Sequence, residues 1–338
     1  MRAIKVTDKE AGQRMDKLLG KYLNLAGKSF IYKMIRKKNI TLNGKKCEGS
    51  EKLSPGDEIT LFLSDETIEK FSQVHVQDVK KTHLDIIYED DHILLVNKPA
   101  GMLSQKAREG DESLVEYVTD YLLDTKAVTR ESLRTFRPGI CNRLDRNTSG
   151  LVVAGKSQPG LRIMAEVFRD RSIHKYYYCF VSGTVSKART IEGFLTKDGA
   201  ANEVRIYERE GTGMAKIITT YEPVFWIPAG QTGGQGYTFL KVTLITGRPH
   251  QIRAHLASIG HPLAGDAKYG NQQVNQEARK RFGVRRQMLH CFQTEFPKLP
   301  EPLAYLSKKS FHAPLPDDFK RFLGTERTKA LGKEHGFT

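Results

Sequence analysis

The run Asn142-Arg143-Leu144-Asp145-Arg146-Asn147-Thr148-Ser149-Gly150 sets one carboxylate between two guanidiniums, ahead of a turn and an apolar strand. Asp145 is the only carboxylate between Glu131 and Glu166. A carboxylate beside fixed positive charge stays ionised at neutral pH, and can serve as nucleophile or base on an anionic substrate that the arginines hold. A plain surface ion pair would spell the same Arg-x-Asp-Arg. Cys141 and Leu144 before the carboxylate, and Leu151 to Ala154 after it, instead predict a rigid sheet edge, where a charge removed from water needs a purpose.

Tyr176 to Val181 reads as a strand that begins with three successive tyrosines, and Pro249 opens a predicted helix that carries His250, Arg253 and His255. Taken alone, Tyr177 would be a core residue of a half-buried strand, Arg253 a salt-bridge partner, and the two histidines satisfied structural groups. One motif misleads. Gly150-Leu151-Val152-Val153-Ala154-Gly155-Lys156-Ser157 has the spelling GxxxxGK(S/T) of a nucleotide-binding loop and would predict an NTPase. Its four intervening residues prefer an extended strand to a phosphate cradle, and turn residues rather than a strand precede Gly150. Cys47, Cys141, Cys179 and Cys291 are scattered without a CxxC pair, and His250 and His255 do not form HExxH. No metal site is expected, and the thiols read as reduced and mostly buried.

The elements that must position these groups fill a chain of 338 residues, enough for two or three domains, and 39% apolar residues suffice for real cores. The net charge of +15 points to a polyanionic partner, because each Lys or Arg that meets a phosphate releases counterions. No apolar run reaches bilayer-spanning length and no N-terminal signal pattern is present, so the expectation is a cytoplasmic protein with no membrane partner.

Met15, Leu18, Leu19, Tyr22 and Leu23 recur at helical spacing, with Asp16 in the first turn. A second helix, with Ser29 as its expected N-cap, turns Ile31, Met34 and Ile35 inward and crowds Lys33, Arg36, Lys37 and Lys38 on its outer side and end. An alternating strand from Ile40 enters the Asn43-Gly44 turn, and Pro55-Gly56-Asp57 turns into a strand from Glu58 to Leu63. Residues 64 to 82 are polar without an apolar period and predict a linker. Beyond them come strand, acidic turn and strand from Ile86 to Lys98, a helix at Val115 to Leu123, and a buried strand at Leu151 to Ala154. Pro159 opens a helix with Leu161, Met164, Ala165 and Phe168 inward, and further strands follow at Tyr176 to Val181 and Thr238 to Ile245, the latter after a glycine-rich hairpin loop from Pro228 to Gly236. Elements interleave without a repeat, which predicts an α+β domain on a mixed, largely antiparallel sheet.

Arg14 to Leu63 resembles the S4-type RNA-binding domain, with its Arg-x-Asp-Lys helix, basic helix, Asn-Gly-Lys turn and Pro-Gly-Asp-x-Ile strand. Asn142 to Gly150 is similar to the His-Arg-Leu-Asp-x-x-Thr-Ser-Gly motif of the RluA family of pseudouridine synthases. Three further blocks agree in order: Ile87 to Gln105 with Asn97-Lys98-Pro99-Ala100-Gly101-Met102, Lys175 to Gly183, and Gly247 to Leu256 continued by Gly260 to Gly270. The match runs over roughly residues 83 to 315. The departures are Asn142 for the family's His, Pro249 for Thr or Ser, and Cys179 for a small residue.

The resemblance implies a pseudouridine synthase fold and a uridine isomerase working without a cofactor. It assigns Asp145 as the catalytic carboxylate, Tyr177 against the target base and Arg253 paired with Asp145. Arg143 would enter the RNA helix in place of the extruded nucleotide. Whether Asp145 attacks or deprotonates stays open. The expected organisation is an S4-like domain over residues 1–65 that grips RNA through Arg36 and Lys37, a linker over 66–82, a catalytic domain over 83–325 and a polar tail over 326–338. Structured RNA is the expected partner, large-subunit rRNA or the assembling subunit foremost, with the protein a monomer. The rival readings are a non-catalytic RNA-binding or ribosome-assembly protein on the same fold, and the NTPase.

Overall fold

The computed structural model describes residues 1–74, 76–80, 83–199, 203–228 and 236–335. A small N-terminal unit comprises β1 (Arg2–Lys5), α1 (Met15–Tyr22), α2 (Lys28–Arg36), β2 (Ile40–Leu42), β3 (Glu58–Leu61) and α3 (Asp65–Phe71). Its sheet has the order β1-β3-β2, all antiparallel. Met15, Leu18, Leu19 and Leu23 are fully buried against Ile35, Ile40 and Ile59, as the helical spacing requires. Asn43 and Gly44 both take positive φ, 51° and 71°, the backbone that a two-residue turn between right-twisted strands demands.

Three local expectations are corrected here. Helix α2 starts at Lys28 with Gly27 as its N-cap and no side-chain cap bond, so Ser29 lies inside the helix. The supposed linker opens with α3, whose first turn is capped by Ser64 accepting from the Thr67 N–H. Ile68 is fully buried in the N-terminal core and Phe71 packs on Phe30 with ring centroids 4.6 Å apart, so the unit runs to about residue 71 rather than 65. One buried and one half-buried side chain in a seven-residue helix leave too little periodicity to read.

The larger unit is built on β4 (Ile86–Glu89), β5 (Ile93–Lys98), β6 (Gly139–Ile140), β7 (Ser149–Gly155), β8 (His174–Ser182), β9 (Arg189–Asp198), β10 (Glu203–Tyr207), β11 (Ala215–Ile227), β12 (Tyr237–Leu244), β13 (Leu289–Glu295) and β14 (Ser310–His312). They form one 11-stranded sheet in the order β10-β9-β11-β12-β8-β13-β7-β5-β4, with β14 on β13 and β6 on β7. Every pairing is antiparallel except β13 with β7, so the sheet is mixed and largely antiparallel. The glycine-rich stretch expected as a hairpin loop lies, at 229–235, outside the described residues; the flanking strands pair with Ile227 opposite Tyr237.

Helices α4 (Leu114–Asp124), α5 (Gln158–Arg169), α6 (Gln251–Ser258), α7 (Gln272–Phe282), α8 (Asp317–Leu323) and α9 (Thr325–His335) cover this sheet. The tyrosine strand shows how one sequence feeds two faces. On β8, Tyr177, Cys179 and Val181 enter the core shared with α4 and α6, while Tyr178 and Phe180 enter an aromatic core with Phe239, Phe292, Phe319 and Phe322. Tyr178 stacks on Phe292 at 3.7 Å between centroids. Truncating one of these buried rings costs about 3–5 kcal/mol.

Helix α5 buries Ile163, Met164 and Val167 and leaves Ala165 exposed, so its inner face is rotated from the expected one. The expected polar tail is largely the helix α9, tied down by Leu331, which is fully buried in the aromatic core. The two units touch: Lys21 Nζ donates to Gln158 Oε1 at 2.7 Å, Arg134 to Ser72 Oγ at 2.9 Å and the Thr135 hydroxyl to Glu10 Oε1 at 3.0 Å. No helix among the described residues is long and apolar enough to cross a membrane.

Candidate active site

The segment 142–148 leaves β6 and enters β7 along the rim of a pocket of about 840 Å³, room for an extruded nucleotide. Ten of the residues lining it are Lys or Arg, and one, Asp145, is a carboxylate. Backbone alternation turns Leu144 into the core and Arg143 and Asp145 outward into the pocket, as an extended segment should.

The segment is held in place from several sides. Asn142 accepts from the Val153 N–H at 2.8 Å and donates to the Leu151 carbonyl at 3.2 Å, so this departure from the family's His ties the motif to its own strand. Ser104 clamps Leu144 reciprocally, its Oγ accepting from the Leu144 N–H at 3.0 Å and donating to the Leu144 carbonyl at 2.7 Å. Lys98 is fully buried, and its ammonium donates to the carbonyls of Pro99, Met102 and Arg146 at 2.9–3.1 Å. Burial, with Arg286 nearby, pushes its pKa down to about 7, against the opposing pull of Asp145. Arg286 donates to the Asn147 carbonyl at 3.1 Å while paired with Asp318. Gly150 lets the next strand approach β13: its φ is +117°, and a Cβ there would sit 2.2 Å from the Cys291 carbonyl oxygen.

The guanidinium that holds Asp145 is neither sequence neighbour. Arg146 turns to the Gly101 carbonyl at 3.1 Å, and Arg143 is exposed, with a long 3.5 Å contact to Gln105. Arg253 of α6 donates from Nη1 to Asp145 Oδ2 at 2.8 Å, and from Nε and Nη2 to both oxygens of Asp266 at 2.7 and 2.9 Å. Asp266 is fully buried and also accepts the N–H groups of Lys268 and Tyr269. Burial opposes charge on Arg253, but the two carboxylates outweigh it and hold its pKa above the ordinary value; burial likewise opposes charge on Asp266, and Arg253 holds that carboxyl low. Asp145 Oδ1 has no hydrogen-bond partner among the described residues, and the side chain is 27% exposed. One carboxylate oxygen is thus fixed by a bidentately anchored arginine and the other is free for a substrate.

Tyr177 lines the same pocket, and burial, followed by the Cys291 contact, keeps its hydroxyl protonated far above the usual range. Helix α6 is seated by Gln251, whose amide bonds the Ile218 carbonyl and the hydroxyls of Thr219 and Thr246 at 2.8–3.0 Å. His255 is buried against the Thr219 hydroxyl at 3.0 Å, a structural role, whereas His250 takes a left-handed φ of 52° and faces the pocket. The decoy spelling is resolved: Gly150 to Gly155 is buried strand, and Ser157 caps α5 by accepting from the Gly160 N–H at 3.1 Å. In the N-terminal unit Arg36 and Lys37 are exposed at the end of α2, without a carboxylate partner among the described residues. Among the described residues no three His, Cys, Asp or Glu side chains converge as a metal site would need.

Residues 92–258 match the model of the RNA pseudouridylate synthase family, and residues 13–59 that of the S4 domain. The ribosomal large subunit pseudouridine synthase C of Salmonella typhi is 30% identical over 343 residues, covering 98% of each chain. The chain belongs to the RluA family of pseudouridine synthases. It is an RNA uridine isomerase with an S4 domain. The synthase is also 28% identical over 336 residues to the namesake enzyme of Vibrio vulnificus, with 96% of each chain covered. Its fold is that of human RNA pseudouridylate synthase domain containing 4, with a TM-score of 0.54 at 19% identity over 72% of this chain and 92% of that one. Human RNA pseudouridylate synthase domain containing 1 gives 0.52 at 23% identity, over 72% and 86%.

Asp266 and Lys98 carry no role in the sequence reading, although both lie in blocks that resemble the family's motifs. The cue was a carboxylate between Gly265 and Ala267 and a lysine at the end of an apolar strand. In each, a charge interrupts residues that otherwise read as core.

Proposed function

We propose that the synthase isomerises uridine in large-subunit ribosomal RNA, in the cytoplasm, with Asp145 as the catalytic carboxylate. The arrangement that carries this reading is Asp145 itself, the one carboxylate in a cationic pocket, held through Oδ2 by Arg253 and free at Oδ1. The reaction detaches uracil from the ribose, rotates it and rejoins it through carbon 5, so the base must leave the stack. The free oxygen can attack the sugar or take a proton from it, and Arg253 orients the carboxylate in either role.

Tyr177 offers a rigid aromatic wall beside the base. Arg143, exposed on the rim two residues from Asp145, fills the gap the nucleotide leaves. The S4 domain adds a second basic grip through Arg36 and Lys37. The substrate assignment rests on relatives named as ribosomal large subunit enzymes over nearly the whole chain. Pseudouridine mapping of ribosomal and transfer RNA, in cells with and without the protein, tests it. Loss of one or more sites in large-subunit rRNA is expected, and losses confined to tRNA would overturn the assignment.

A further inference from the structure

His250 is joined to the pocket by a hydrogen-bond chain that fixes which of its nitrogens carries the proton. The Val204 N–H donates to the Tyr269 oxygen at 2.9 Å, and that oxygen lies 2.9 Å from His250 Nδ1. Nδ1 is the acceptor within reach of the Tyr269 proton among the described residues, so Tyr269 donates to it and the proton of the neutral ring sits on Nε2. Burial, opposed by the Asp145 charge and aided by Arg253 and Lys268, lowers the His250 pKa and favours that neutral ring. Tyr269 also lies under Arg253, whose guanidinium carbon is 5.2 Å from the ring centroid, so the group that orients His250 packs on the arginine that orients Asp145.

The Nε2–H and the carboxylate then stand on either side of a gap. Nε2 lies 4.0 Å from Asp145 Oδ2, beyond hydrogen-bond length, and both side chains reach the pocket. Two hydrogen bonds of about 2.8 Å that meet at one oxygen span about 4 to 4.5 Å. The bridging group must accept from Nε2–H and donate to the carboxylate. A uracil carbonyl only accepts, and the N3–H only donates; a hydroxyl does both.

We propose that His250 and Asp145 form a subsite for the 2′-hydroxyl of the target ribose, making His250 a substrate-contacting, RNA-selecting residue. The proposal rests on the assignment of Asp145 to the reacting nucleotide. The 2′-hydroxyl is the group that separates RNA from DNA at a given site, and it neighbours the glycosidic carbon where the bond to uracil must break.

The test is a binding cycle in the Asp145→Asn protein, whose amide oxygen faces the Arg253 N–H and so keeps an acceptor at the Oδ2 position. The ligands are an RNA stem-loop carrying the mapped target uridine and the same RNA with a single 2′-deoxyuridine there. His250→Asn, a residue tolerant of the left-handed backbone but too short to reach the Nε2 position, is compared with His250. Each single change should weaken binding about five- to tenfold, and both together no more than one alone. His250→Gln, whose amide N–H can reach that position, should restore most of the preference for the ribose. Losses that multiply, or equal binding of the two RNAs by the His250 protein, would overturn the subsite. Turnover by Asp145→Asn itself would instead sink the assignment on which it rests.

Discussion

Asp266→Asn should cost the synthase both stability and rate, by amounts that follow from the bonds Asp266 makes. The carboxylate is fully buried and accepts two bonds from Arg253 and two from backbone N–H groups. An asparagine can keep its oxygen toward the Lys268 and Tyr269 N–H groups and one arginine N–H, but its amide nitrogen then faces the Arg253 Nε–H, donor against donor. Losing one charge-assisted bond and leaving a buried cation half-paired costs about 3–5 kcal/mol. For a domain of this size that is a fall in melting temperature of roughly 10 °C.

The stability gap should also depend on pH. Arg253 holds the Asp266 carboxyl below its ordinary value, so its contribution is fully present above the unfolded value of about 3.9 and is lost as pH falls through the lower folded value. The difference between the two proteins should therefore be constant near neutrality and close only in acid. Because Arg253 Nη1 loses its brace, single-turnover pseudouridine formation at saturating enzyme should slow by about 10- to 100-fold. Melting curves and single-turnover kinetics on one preparation decide the matter. An unchanged melting temperature would refute the energetic argument, and an unchanged rate would reduce Asp266 to a stabilising residue.

Two further outcomes follow from the exposed cations proposed to meet RNA. With Arg143 in its proposed extrusion role, Arg143→Ala should slow conversion strongly on a structured RNA and much less on one whose target uridine is already unstacked; equal losses on both would refute that role. Replacing Arg36 and Lys37 together with Gln should lower the slope of log affinity against log salt by about 1 to 2, with conversion surviving at high enzyme concentration, and an unchanged slope would mean that this end of α2 does not touch RNA.

What the sequence made legible and what it hid divide on physical grounds. Elements with strong local periodicity could be read, such as α1 through Met15, Leu18, Leu19 and Tyr22, or the Asn43-Gly44 turn. Helices α3 and α9 were hidden because among the described residues few side chains mark a buried face on either, Ile68 and Phe71 on α3 and Leu331 on α9, too few for a readable period. The candidate site was legible as a collinear set of motifs, which brought Asp145, Tyr177 and Arg253 to one pocket. Its bracing was not. The resemblance implied that Arg253 meets Asp145, but not that Asp266 anchors that arginine through Nε and Nη2, nor that the Lys98 ammonium supports the Arg146 carbonyl across 48 residues. His250 reads as structural in the sequence, and its link to the Tyr269 hydroxyl lies 19 residues on, beyond any local signal.

The measurement that bears most directly on the account is pseudouridine formation by Asp145→Asn on its rRNA target, with RNA affinity measured alongside. The Asp145 side chain is 27% exposed and an asparagine keeps an oxygen for the Arg253 N–H, so the variant should fold and bind RNA within a few-fold of the unaltered protein while forming no pseudouridine. Measurable turnover by a clean preparation would contradict the account.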